Sequence, residues 1–488
     1  MKINTIRFVK PLLATMLAGS AALAQAADQE LLDILLGNGA ITQAQYDLLM
    51  QKDELKAADL GAAPVTAAAP AAAELPVVRL DALERKVEAV LTEQAKPKPR
   101  SWTDSFSIRG YTQIRYTELL GGDQGINLWP DRSVGDSESL GDADKNFLIR
   151  RGRIVFQGDV GERLSFYIQP DFASTAGTTG NIAQLRDAYG DVYLTTDRVH
   201  RLRVGQSKVP YGWENMQSSS NRLALDRVDA MNSAVRDERD LGVFYYYTPG
   251  VVQERFNEIN SLGLKHSGNY GMLGLGAYNG QGANRGDRNN NQHVVVRLNY
   301  PWKFSDGQFF EAGVQAYSGK YVPTIGTYRS ARNASLTPAI PGQYTDGFDD
   351  QRIGVSAIWY PQPFGLQAEW NWGDTPALDL ATNTITQGEL DGGYVQAMMK
   401  LDSDLGTFLP FVKWQYFDGA NKAETNAPVN KVNDIELGVE WQIAREVELA
   451  AIWHQMNRNN LVTGNRSGRA DYVNFDTDAL RLQLQINY

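Results

Sequence analysis

Apolar and polar side chains alternate with period 2 along most of the chain from residue 101 to Tyr488. Residues 147–172, FLIRRGRIVFQGDVGERLSFYIQPDF, show the pattern most plainly. Leu148, Gly152, Ile154 and Phe156 share one face, and Arg151, Arg153, Val155, Gln157 and Asp159 share the other. After Gly161, Glu162 and Arg163, the residues Leu164, Phe166, Ile168 and Phe172 alternate with Ser165, Tyr167, Gln169 and Asp171. Successive side chains of a strand point to opposite faces, so the pattern predicts two strands and a tight turn, each strand with one apolar and one polar face. It recurs to the end of the chain, where Leu480, Leu482, Leu484 and Ile486 oppose Arg481, Gln483, Gln485 and Asn487. Such a chain must either bury its apolar faces between sheets or turn them to lipid.

The connections help to choose. Those at residues 161–163, 196–199, 361–364, 402–406 and 444–445 are short. Those at 119–146, 208–240, 320–350, 374–388, 419–431 and 457–472 are long and polar. Short turns alternating with long loops are expected of an outer-membrane barrel, as are aromatics at strand ends such as Tyr300 with Trp302 and Trp359 with Tyr360. The pattern yields roughly 17 strand candidates, whereas a bacterial barrel takes an even number. Residues 241–247, 260–267 and 271–278 cannot all be barrel strands. Placing one of the first two in a loop leaves sixteen.

The N-terminal part reads differently. Residues 1–26 have the form of a secretory signal peptide, with Lys2, Arg7 and Lys10 ahead of an apolar core and Ala24-Gln25-Ala26 as a cleavage site. Residues 27–60 read as a helical periplasmic segment. Residues 61–76 form an Ala/Pro linker too poor in large apolar groups to pack. In residues 77–95, Leu80, Leu83, Val87 and Val90 follow the a/d spacing of a short coiled coil, with a single solvated helix as the alternative. A Lys/Pro hinge at 96–100 precedes the expected barrel, residues 101–488.

Other classes fit less well. The chain has 488 residues, no cysteine, four histidines and a formal net charge of −10, which argues against nucleic acid as a partner. Mean hydropathy is −0.37, and no apolar run beyond the N-terminus approaches the ~20 residues of a membrane helix. His200, His266, His293 and His454 are scattered without metal-ligand spacing, so neither a metal nor a cofactor is called for. A barrel enzyme would need a catalytic set assembled from distant residues, and no catalytic residue is assigned. A soluble sandwich or propeller would fit the alternation but shows no blade-length repeat. Lipid-spanning β structure must close on itself, and about sixteen strands leave a water-filled lumen. The expected fold is therefore all-β: a transmembrane antiparallel barrel with an N-terminal helical and coiled-coil extension.

Three motifs carry a family resemblance. They are Arg150-Arg151-Gly152-Arg153, the run from Leu202 to Glu214 (LRVGQSKVPYGWE), and Arg239-Asp240-Leu241-Gly242. In order and spacing these resemble the phosphate- and polyphosphate-selective porins (porins O and P). The resemblance implies a homotrimer of 16-stranded barrels in the outer membrane of a Gram-negative bacterium. It also implies a third loop folded into each pore, arginines guiding anions along the wall, and a lysine at the constriction. Carried over by motif, Arg151 and Arg153 are wall arginines and Lys208 is the constriction lysine. Alternation places Arg150 toward lipid unless it sits at the rim or a bulge turns it inward.

The lumen face adds Arg109, Arg115 and Arg203 to the expected anion-guiding set. It also carries Asp171, Asp187, Asp191, Glu369, Asp434, Glu436 and Glu440, with bases concentrated early and acids late. Each arginine could equally brace the barrel by pairing with a lumen carboxylate. In the long loop, Asp226, Asp229, Asp237 and Asp240 stand beside Arg227, Arg236 and Arg239 and would neutralise them. The expected function is passive diffusion of small solutes with an anion, phosphate-like preference, in contact with outer-membrane lipid. The alternative is a general or weakly selective porin whose extension tethers a periplasmic partner or the cell wall.

Overall fold

The computed structural model describes residues 105–123, 126, 128, 145–173, 183–329, 335–462 and 470–488. The readings of residues 1–26, 27–60, 61–76 and 77–95 lie outside them. Strand β1 (Ser107–Gly122) pairs with β2 (Lys145–Val160). The meander continues through β3 (Leu164–Asp171), β4 (Gln184–Tyr193), β5 (His200–Lys208), β6 (Arg239–Tyr247), β7 (Leu273–Tyr278), β8 (His293–Lys303) and β9 (Phe309–Tyr321). It completes with β10 (Phe348–Trp359), β11 (Phe364–Asp379), β12 (Thr384–Met399, resumed at Leu401–Ser403), β13 (Gly406–Ala420), β14 (Val429–Ala444), β15 (Val447–Val462) and β16 (Asp471–Asn487). Both parts of β12 pair with β13 and form one strand. Each strand runs antiparallel to the next, and β16 closes on β1 from Asn487 opposite Tyr111 to Thr477 opposite Gly122. The described residues thus make a closed barrel of 16 strands.

The apolar faces point outward. In β10, Ile353, Val355 and Trp359 are exposed, while Asp350, Arg352 and Ser356 at alternate positions are buried. In β16, Ile486 is exposed and Leu482 and Leu484 are half-buried, whereas Arg481, Gln483 and Gln485 are buried. A soluble sheet would show the reverse. Rings gather toward the short-turn end, where Trp302 stacks on Phe310 and Phe408 on Trp441, as in a membrane-interface girdle. Leu437 lies mid-strand on the outside, 56% exposed, between Val412 and Trp453 on the neighbouring strands. Leu437→Arg is expected to destabilise the barrel by about 2–4 kcal/mol, as for a cation near the bilayer midplane. Urea titration of the protein folded into liposomes measures this, and an unchanged midpoint would contradict the face assignment.

Residues 241–247 are part of β6, whereas 260–267 are not a strand. Helix α3 (Gly250–Ser261) follows Pro249, and its Val252, Phe256 and Ile259 are buried at i, i+4, i+7 spacing. Gly263, with φ 64, ends it: its N–H bonds to the Asn260 carbonyl and that of Leu264 to the Ile259 carbonyl. The α3 face packs on Trp213, Phe309, Ile358 and Tyr360. The β6–β7 connection is thus long although it lies on the short-turn side. Lys265 reaches Glu440 on β14 at 2.5 Å, so the connection crosses that mouth of the barrel.

The expected loop at 374–388 is instead the end of a hairpin. β11 and β12 stay paired from Asp374 opposite Glu389 to Asp379 opposite Thr384. Residues 380–383 make the turn, with Asp379 accepting from the Ala381 N–H and Asn383 at φ 53.

Candidate functional site

Residues 209–238, between β5 and β6, fold into the barrel. They contain two short helices, α1 (Trp213–Met216) and α2 (Asp229–Asn232), and are buried over most of their length. The late-strand acids hold much of this loop. Glu369 accepts the backbone N–H of Trp213 at 2.5 Å and of Glu214 at 3.0 Å. Glu311 accepts the Trp213 indole N–H at 2.9 Å. Lys413 donates to Glu214 at 2.5 Å, Arg352 to the Ala230 and Ser233 carbonyls at 3.0 Å, and Arg458 bridges Asp229 and Asp434.

The basic side holds the loop at Asp226. Arg481 lies at 2.5 Å and Arg115 at 2.9 Å from Oδ2, with Arg150 at 3.6 Å and Arg151 at 4.0 Å from Oδ1. Arg150 reaches it through a bulge: Gln113 is opposite Arg151 and Ile114 opposite Ile149, so Arg150 is the extra residue. Asp226 is therefore a ligand of wall arginines rather than the neutraliser of its neighbour Arg227, which pairs with Glu238. Burial pushes the Asp226 carboxyl up, but Arg115, Arg481, Arg150 and Arg151 hold it well below the ordinary carboxylate range. A depressed carboxyl contributes stability above its unfolded pKa, near 4, and loses it only as pH falls through the lower folded value. The anchor is expected to persist as pH falls from 7 to 4, giving a single-channel step that does not grow over that range. A step that widens on acidification to pH 4 would contradict it.

The remaining predicted residues surround a cavity of about 1000 Å³ between the early strands, this loop and the β6–β7 connection. Arg153 donates to Asp171 at 2.7 Å, to the Tyr111 hydroxyl at 2.8 Å and to Ser219 at 3.3 Å. Arg203 holds Asp191 through two bonds of 2.7 and 2.9 Å. Lys208 is buried, and its Nζ donates to the carbonyls of Met216 and Gln217 at 2.9 and 2.8 Å, tying down the loop that follows it. Arg109 is exposed to the cavity and donates to Gln157 at 3.4 Å. Arg115 and Arg151 therefore meet at Asp226, while Arg109, Arg153, Arg203 and Lys208 line the cavity. Lys208 came from the motif, and alternation placed Arg109, Arg115, Arg151, Arg153 and Arg203 on the lumen face. It could not show that Asp226 and Glu369 are the loop's anchors, because that depends on how the loop folds back.

A closed barrel with an apolar exterior, a polar lumen and an internal loop is the architecture of an outer-membrane porin. The model of the family described as phosphate-selective porin O and P matches residues 125–488, and the chain belongs to that family. The family is one of channel proteins. Among solved structures, the chain is similar to the outer-membrane expressed OmpT of Vibrio cholerae, at 10% identity over 78% of this chain and 97% of that one, with a TM-score of 0.46. It is also similar to the anion-selective porin from Comamonas acidovorans, at 12% identity over 79% and 99%, with a TM-score of 0.45. Salmonella typhi OmpF, in complex with daunomycin, matches at 11% identity over 78% and 97%, with a TM-score of 0.45. No curated protein matches the sequence.

Proposed function

We propose that the protein is a passive diffusion channel of the outer membrane with a preference for small, phosphate-like anions. The observation that carries the preference is which wall the loop leaves uncovered. Glu369, Glu311 and Asp434 on the late strands are engaged by the loop or by Arg458, so these three acids are spent on positioning. The cavity runs along the early strands. Arg109, Arg153, Arg203, Lys208, Arg239 and Arg445 line it against Asp187, Glu446 and Glu448. Excess positive charge in a lumen sets anion selectivity, and water there lets salt screen it. Three of these six cations, Arg153, Arg203 and Arg239, already hold carboxylates, which makes the preference mild and strongest in dilute salt.

In this reading Arg109, Arg153 and Arg203 guide anions, Arg115 and Arg151 set the pore width through Asp226, and Lys208 marks the constriction by fixing the loop. Arg109→Gln removes a solvent-facing charge without breaking an ion pair among the described residues. It is expected to lower the chloride-to-potassium permeability ratio in dilute salt and to have little effect at 1 M, where the Debye length is about 3 Å. A ratio unchanged in dilute salt would contradict the role given to Arg109.

The protein would assemble as a homotrimer, following the family resemblance, with residues 77–95 as a parallel coiled coil. The extension would lie in the periplasm and tether a partner or the cell wall. A chain beginning at Ser101 is expected still to insert as a barrel, read by its heat-dependent gel mobility. Failure to insert would move the domain boundary.

A further inference from the structure

An aromatic ladder crosses the early wall of the lumen. Tyr167 on β3 and Tyr189 on β4 are register partners, with ring centroids 5.2 Å apart and planes 8° from parallel. The Arg203 guanidinium on β5 lies 3.7 Å from the Tyr189 centroid. Gly205, opposite Tyr189, has φ 128, and a Cβ there would collide with the Ala188 carbonyl and the Tyr189 backbone. Glycine at this position lets the β5 backbone approach β4 closely beside Tyr189. On its other side Tyr167 is opposite Gln157, and Gln157 accepts from Arg109. The sequence across the wall is therefore Arg109, Gln157, Tyr167, Tyr189, Arg203. Except for Gln157, all of these line the cavity of about 1000 Å³.

The two arginines differ in what they can still bind. Arg203 already holds Asp191 with two bonds, so its charge is committed. No carboxylate pairs with Arg109 among the described residues. Both tyrosines are only half-buried, so ring edges meet the cavity. A chloride or phosphate ion would use the Arg109 guanidinium and leave the rings idle. A planar ring bearing a carboxylate would use both, its carboxylate on Arg109 and its ring against the tyrosine pair.

The geometry points to a binding site for one-ring aromatic carboxylates in this cavity. The inference rests on the channel reading above and gives that channel a second solute class. The probe is benzoate, with cyclohexanecarboxylate as a partner of matched charge and similar size that lacks the π face. Each is added to the protein in a planar bilayer, and its half-blocking concentration for the chloride current is measured. Benzoate is expected to block at a concentration about twofold to tenfold lower, the factor an aromatic pair contributes. Tyr167→Leu should bring the two acids together, Tyr167→Phe should keep them apart, and Arg109→Gln should weaken both alike. Equal half-blocking concentrations in the parent protein overturn the site while leaving the channel intact. Absence of any chloride current overturns the channel reading and this one with it. The parent comparison needs no variant, so it stands even if Tyr167→Leu fails to insert.

Discussion

Asp226→Asn is expected to release the internal loop from the basic wall and enlarge the single-channel step. The carboxylate is shared by Arg115, Arg150, Arg151 and Arg481, three of them buried. Removing one partner of a buried ion pair typically costs about 3–5 kcal/mol, because the opposite charge stays desolvated without compensation. Here several guanidinium groups would face one another across the site that Asp226 filled. The strands themselves are held by their own ladder, so the loss should fall on the loop and not on barrel closure. The expected outcome is a barrel that still inserts but carries a larger, noisier current. A variant with the parent's conductance would show that the loop is held elsewhere.

The second large effect is expected at Glu369. Its carboxylate accepts two backbone N–H groups at the start of α1, from Trp213 and Glu214, and the side-chain amide of Gln315 at 3.1 Å. Glu369→Ala leaves these buried donors unsatisfied, at about 1–3 kcal/mol each. Glu369→Gln keeps an acceptor oxygen and should cost much less. Both Glu369 and Asp226 hold the same loop, so the two effects should not add: once one anchor is lost, much of the other's contribution is already gone. Conductance of the two single variants and the double variant measures this coupling. Fully additive changes would mean that the two halves of the loop move independently.

How far these anchors could be foreseen depends on what alternation encodes. Alternation arises because lipid and water lie on opposite sides of a strand. It therefore located Arg109, Arg115, Arg151, Arg153 and Arg203 on the lumen face and Leu482 to Ile486 on the outside. Where a hairpin rises above the bilayer, neither face needs to be apolar. The ladder that pairs Asp374–Asp379 with Thr384–Glu389 carries no period and reads as a loop, although each of those residues is paired. Helix α3 was legible in principle: Val252, Phe256 and Ile259 have helical spacing after Pro249, a signal that a strand-length apolar run just downstream obscures. The Arg150 bulge was legible only as a conflict, a cation on a face that should be apolar. The partners of Asp226 were not legible at all, because they lie on β1, β2 and β16, far apart in sequence and brought together only by closure.

In the proposed channel, solutes pass along the basic early wall while Glu369, Glu311 and Asp434 on the opposite side are engaged in holding the loop. The most direct test is the zero-current potential of the protein in a planar bilayer across a potassium chloride gradient in dilute salt. Discrete conductance steps are expected, with a potential of the sign set by chloride that shrinks toward zero as salt rises. A potential of the opposite sign would contradict it and would make the acidic wall the face that governs transport.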